Sequence, residues 1–148
     1  MEIRQVLQQL HQQLYLELNA VLVNLHDEQI RASAPAIDAR SIGEVAIHAH
    51  RPILAVVCAM AGIERPPRPD PPATVATLLP ILQDMAHQVN VWVAALPDEA
   101  WQQKIALPWG NNLVALDAYL ESITHGLVHV GRIGGMRAII GAALPPEA

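Results

Sequence analysis

Ile3, Leu7, Leu10, Leu14, Val21 and Leu25 recur at steps of three, four and seven, with Gln, Glu and Asn between them. That period puts the apolar side chains on one face of an α-helix, and such a face must be buried against other elements. Three more segments read as long helices. Residues 41–61 open with "SIGE", in which Ser41 and Glu44 have the spacing of a capping box, and Gly62 can end the helix. Residues 74–96 carry Pro80 near the first turns and are closed by Pro97. The fourth segment begins near Asn111 or Asn112, either of which can cap it, and continues through "LVALDAYLESITHGLVHVGRIGGMRAII". Pro52 lies inside the second helix and cannot donate to the carbonyl of His48, so a bend is expected there.

The stretches between these helices are punctuation. "GIERPPRPDPPA" holds five prolines and reads as a stiff, extended connection. Neither side of it has enough helix to stand alone, so it is a loop within one domain. "DEQIRASAPAIDAR" breaks the first pattern, and "PDEAWQQKIALPWGNN" is a mixed loop with room for a short helical turn. No segment alternates convincingly as a strand. The expectation is a single all-α domain over residues 1–148, a four-helix bundle.

Hydrophobic residues make up 52% of the chain, which raises the question of a membrane. The longest clean apolar run covers residues 53–63, well short of the roughly 20 a bilayer needs. The opening "MEIRQVLQQLHQQ" lacks the apolar stretch of a signal peptide. These features predict a cytoplasmic protein with no membrane partner, whose apolar excess fills a core and a subunit interface. The net charge is −5, the basic residues are scattered, and aromatics are 3% with no Phe, which argues against a nucleic-acid partner. Cys58 is the single cysteine; it sits in the apolar run and reads as a small buried hydrophobe.

Little else resembles chemistry except the histidines. His125 and His129 stand four apart on one helix face, where two imidazoles can share a metal ion or simply form a solvated pair. Asp117 and Glu121 precede them on the same face at steps of four. A metal site in a bundle draws ligands from facing helices, and His48, among core-facing residues, is the best candidate for the third. His50 is two residues on and points elsewhere, so only one of the two faces the centre. His11, His26 and His87 are assigned to surface or ordinary packing. The Glu-x-x-His pairs of di-iron bundles are missing, since Glu44–His48 and Glu121–His125 are each one residue too long. Gly131, Gly134 and Gly135 fall in a helix interior, where each costs up to about 1 kcal/mol against alanine, and close helix approach would explain them.

"SIGEVAIHAH", "PWG" and "HGLVHVGRI" together resemble the DinB-like (DinB/YfiT-like) superfamily of four-helix-bundle metalloproteins, and the resemblance spans nearly the whole chain. It implies one divalent metal ion, zinc or nickel, held by His48, His125 and His129, a small-molecule substrate and a homodimer. Relatives include S-transferases and isomerases that use low-molecular-weight thiols, and others described as metal-dependent hydrolases. Val130 and Arg132 stand where relatives often carry Arg and Gln, so the substrate does not carry over. Glu44 and Glu121 each lie one turn before a ligand and are the catalytic candidates, as general base or as the group orienting a ring N–H. Their plainer roles are a helix cap and a surface residue. The alternative function is a non-catalytic dimer that is stabilised by its metal or binds a small ligand.

Overall fold

The computed structural model describes residues 2–146. In chain order it contains α1 (Ile3–Val21), the single turn α2 (Asp27–Ile30), β1 (Ser33–Ala34), β2 (Asp38–Ser41), α3 (Ile42–Ala61) and α4 (Val75–Ala95). A 3-10 turn (Asp98–Gln102), β3 (Lys104–Leu107), β4 (Gly110–Val114) and α5 (Ala115–Ile139) complete the chain, which is mostly helical.

Local chemistry sets the ends of α3. The Ser41 Oγ accepts from the Glu44 N–H at 3.2 Å, and Glu44 Oε2 accepts from the Ser41 N–H at 2.9 Å. Gly62, at φ 69°, closes the helix in the left-handed region where glycine carries no Cβ penalty. The helix runs unbroken through Pro52. By length and composition α3 is apolar enough to cross a bilayer, although the longest uncharged run inside it is shorter. Because 78% of its most apolar window is buried in the fold, it serves as the central core helix.

α3 packs on α5 and α4, and α1 packs on the same two helices. Leu7, Leu14 and Val21 of α1 are buried, as the spacing predicts, whereas Ile3 is exposed, and α1 stops at Val21, short of Leu25. Asn24, at φ 60°, turns the chain, and His26 begins α2. The buried Arg137 of α5 secures this corner, since its Nη1 donates to the carbonyls of Val21 and Val23, both at 2.7 Å. Cys58 is buried and free, as expected.

Three expectations need correction. Two small antiparallel hairpins, β1–β2 and β3–β4, occupy the loops; their strands of two to five residues are too short to show an alternating pattern. "PWG" is the tip of the second hairpin, so the expected start near Asn111 or Asn112 falls within β4, and α5 starts at Ala115 with Val114 at the N-cap position. The 3-10 turn does fill the expected place in the mixed loop. Finally, the close approach is not at Gly131 or Gly134, where an added Cβ would meet nothing within 4 Å or only Val21 at 4.0 Å. It is at Gly135 and, above all, at Gly126, where a Cβ would lie 2.7 Å from Leu14 Cδ2 and 2.8 Å from the Ala49 carbonyl oxygen.

Gly126→Ala is expected to destabilise the fold by about 1–3 kcal/mol, because the Ala49 carbonyl is backbone and cannot turn aside. Gly131→Ala, in open space on the same helix, is expected to stabilise by about 0.5–1 kcal/mol. Urea denaturation of the two variants beside the parent measures both, and equal effects would contradict this packing.

Candidate metal centre

Gly126 lies between His125 and His129 on α5, and its contact with the Ala49 backbone draws that turn onto α3 one residue past His48. The three rings therefore meet. Ring centroids lie 4.9 Å apart for His48–His125, 4.7 Å for His48–His129 and 4.4 Å for His125–His129. One ring nitrogen from each can be chosen so that all lie within 4.8 Å of one another. The His125 and His129 Nε2 atoms are 3.0 Å apart. Two ligands about 2.1 Å from one tetrahedral ion would be roughly 3.4 Å apart, so a small adjustment suits a metal.

The rings sit in surroundings that keep them neutral. Burial, then the nearby Arg40, pushes His48 down to about 4. Burial, then His125, pushes His129 down to about 4, and burial and then Arg40 lower His125. Neutral imidazole is the form that ligates a divalent ion. Three neutral rings cannot satisfy all their inward-facing nitrogens with one another, and a cation between them can. The donor set thus fits a metal. The Nδ1 atoms of His125 and His129 are buried without a protein partner, so neither Glu44 nor Glu121 orients them.

His50, as expected, points elsewhere. It is fully buried, and its Nε2 lies 2.7 Å from His11 Nε2, whose Nδ1 lies 3.1 Å from Asn90 Oδ1. Of the histidines assigned to surface or ordinary packing, His11 is packed in a buried polar chain, while His26 and His87 are exposed. Glu44 is committed through Oε2 to the α3 cap. Asp117 and Glu121 are exposed, and only Glu121 reaches the space beside the histidines.

That space is a cleft of about 500 Å³ bordered by His48 and His125. Pro52 and Arg51 of α3, Glu121 and Ser122 of α5, and Trp109 at the tip of the β3–β4 hairpin line it. Arg65 and Arg68 of the proline-rich connection complete the wall. The sequence reading missed the arginines and Trp109. Arg51 follows His48 by three and shares its face, a signal available in the sequence; nothing local placed Arg65, Arg68 or Trp109. Arg132 lies 3.6 Å from Asp38, which also pairs with Arg40 at 2.9 Å. Hydrogen bonding to Arg40 holds the Asp38 carboxyl down at about 2, so it stays charged between the two cations.

Comparison of the chain with protein-family models, with curated proteins and with solved structures finds no match in any of the three. Function has therefore to be argued from the site itself.

The buried histidines make the fold acid-sensitive. Burial, and then the neighbouring His11, pushes His50 down to about 3 from 6.5, and burial lowers His11. As the pH falls below 6.5 the unfolded chain takes up protons that the folded chain refuses until about 3, so stability is complete above 6.5 and lost progressively below it. The urea midpoint is expected to fall steadily between about pH 6.5 and 4, with a shallower fall in the His11→Leu/His50→Leu variant. A midpoint independent of pH across that window would contradict burial of these rings in neutral form.

Proposed function

We propose that this chain is a DinB-like four-helix bundle that holds one divalent metal ion, zinc or nickel, on His48, His125 and His129. We further propose that it acts on a small-molecule substrate, by hydrolysis or by transfer to or from a low-molecular-weight thiol. The observation that carries the reading is the convergence of three neutral imidazoles from two helices, within 4.8 Å of one another. A purely structural zinc is normally closed by four protein ligands, whereas catalytic sites keep three and an open position. A three-histidine set beside a cleft of about 500 Å³ supports the catalytic reading over a metal that only stabilises the fold.

When bound, the ion would supply Lewis acidity to a water or thiol. The chain's own groups do the rest. The helix contact at Gly126 holds the three rings in register, and burial keeps them unprotonated. Glu121 lines the cleft beside His125, which supports assigning it the role of accepting a proton from a bound substrate. Glu44 serves by fixing the start of the helix that carries His48. Trp109 and Pro52 give the cleft an apolar wall.

Untagged protein purified without chelators is expected to carry about one equivalent of divalent metal by mass spectrometry, and His125→Ala is expected to lose most of it. Absence of metal from both proteins, even after incubation with zinc or nickel, would overturn the proposal. A homodimer is proposed alongside it: Leu120, Leu127 and Val128 stand exposed along α5. Sedimentation equilibrium is expected to give a dimer for the parent and a monomer for Leu127→Glu; a parent that sediments as a monomer would remove that part.

A further inference from the structure

The chain has nine basic side chains and a net charge of −5, yet Arg51, Arg65 and Arg68 all line the cleft of about 500 Å³ that borders His48 and His125. Glu121 is the single carboxylate on that wall. Arg51 is accounted for structurally. It is buried, and its Nη2 and Nη1 donate to the carbonyls of Pro66 and Pro67 at 3.1 and 3.4 Å, strapping the proline-rich connection to α3. Arg65 and Arg68 are carried by that strapped segment. Among the described residues neither forms an ion pair or donates a side-chain hydrogen bond, whereas Arg4, Arg40 and Arg132 are each paired with a carboxylate. The three guanidinium groups also oppose one another: burial first, then Arg65 and Arg68, lowers Arg51. A fold that gathers three guanidinium groups at a cleft against one carboxylate has placed there a complement to an anion.

We infer that this cleft is an oxyanion site: its ligand is a small organic anion whose carboxylate or phosphate pairs with Arg65 and Arg68. The remainder of the ligand lies against Trp109 with its reacting end towards His48 and His125. The inference deepens the proposed function and rests on it for the reaction, but anion binding itself depends on the arginines alone. Guanidinium suits both oxyanions, because its planar fork can donate two parallel hydrogen bonds to either. Trp109, half-exposed at a hairpin tip between Pro108 and Gly110, offers a flat apolar face to the rest of such a molecule. Selection would therefore favour a charged substrate over its neutral amide. Glu121, the lone carboxylate, would repel a second negative charge beside His125 and so orient the anionic end towards the arginines.

The test is titration of succinate, inorganic phosphate and neutral succinamide into the full-length protein at low ionic strength, followed by calorimetry and by tryptophan emission. It is run on protein as purified and after chelator treatment, with metal content measured on the same samples. Saturable binding of succinate or phosphate, absent for succinamide, is expected in both preparations. It should weaken at least about tenfold in Arg65→Gln/Arg68→Gln while the melting temperature and metal content of that variant match the parent. Preference for either anion supports the site and assigns its chemistry. Binding that does not saturate, or is as tight in the double variant, overturns the inference. The two proposals fail separately: metal retained without arginine-dependent binding removes the oxyanion site alone, and arginine-dependent binding without metal removes the metal centre alone.

Discussion

Everything near the candidate metal centre depends on how closely α5 lies on α3 at Gly126. A Cβ there would sit 2.8 Å from the Ala49 carbonyl oxygen, a distance real side chains do not tolerate. Only hydrogen fits. The residues on either side of that glycine in the helical pattern, His125 and His129, are thereby brought against His48, which is adjacent in sequence to Ala49. The metal-ligating geometry and the packing of the two helices are one contact seen from two sides. A substitution that relieved the packing would also part the ligands. This is why the site belongs to rigid helices rather than to loops.

The core accommodates five histidines because α3 is buried along nearly its whole length and offers polar positions to two neighbours. His48 turns towards α5, and His50, two residues on, turns towards α1 and meets His11. Burial keeps these rings neutral, so the core holds five titratable groups without holding their charge. The two sets are chemically different. His11 joins Asn90 to His50 in a chain of hydrogen-bond partners that leaves the buried His50 Nδ1 unpartnered. The triad leaves two buried Nδ1 atoms unpartnered, and its His125 and His129 Nε2 atoms face each other at 3.0 Å with the His48 ring against both. What distinguishes the second set from the first is that three imidazoles converge, enough to hold an ion, where the first has two.

The helices, the α3 capping box and the Gly62 terminus could be read from the chain, because each depends on residues within one turn of one another. His48, His125 and His129 could also be nominated, since their spacing and apolar surroundings are local. What escaped was everything set by contact between distant segments. The hairpins β1–β2 and β3–β4 are too short to carry a periodic signature. Gly131 and Gly134 look like close-approach glycines in sequence, but which side of a helix meets a neighbour is decided by the neighbour, and that side holds Gly126. His11 could not be paired with His50 without knowing that α1 and α3 share a core. Glu44 had two local roles available, and the hydrogen bonds favour the cap.

The proline-rich connection illustrates the same limit with more consequence. In sequence it is a stiff spacer, and its arginines are part of a scattered basic set. Its composition gives it stiffness, since proline fixes φ and removes donors, so few conformations compete with the one it holds. Two hydrogen bonds from Arg51 are then enough to fix its course along α3. A flexible loop would let Arg65 and Arg68 swing into bulk water, where guanidinium groups are best solvated and farthest from each other. On a stiff, strapped segment they remain at the cleft wall next to His48, and their mutual repulsion is retained in the folded state. The segment thus turns a local property, low backbone entropy, into a fixed electrostatic field over the histidines, which Glu121 offsets in part and a negative charge entering the cleft would relieve further.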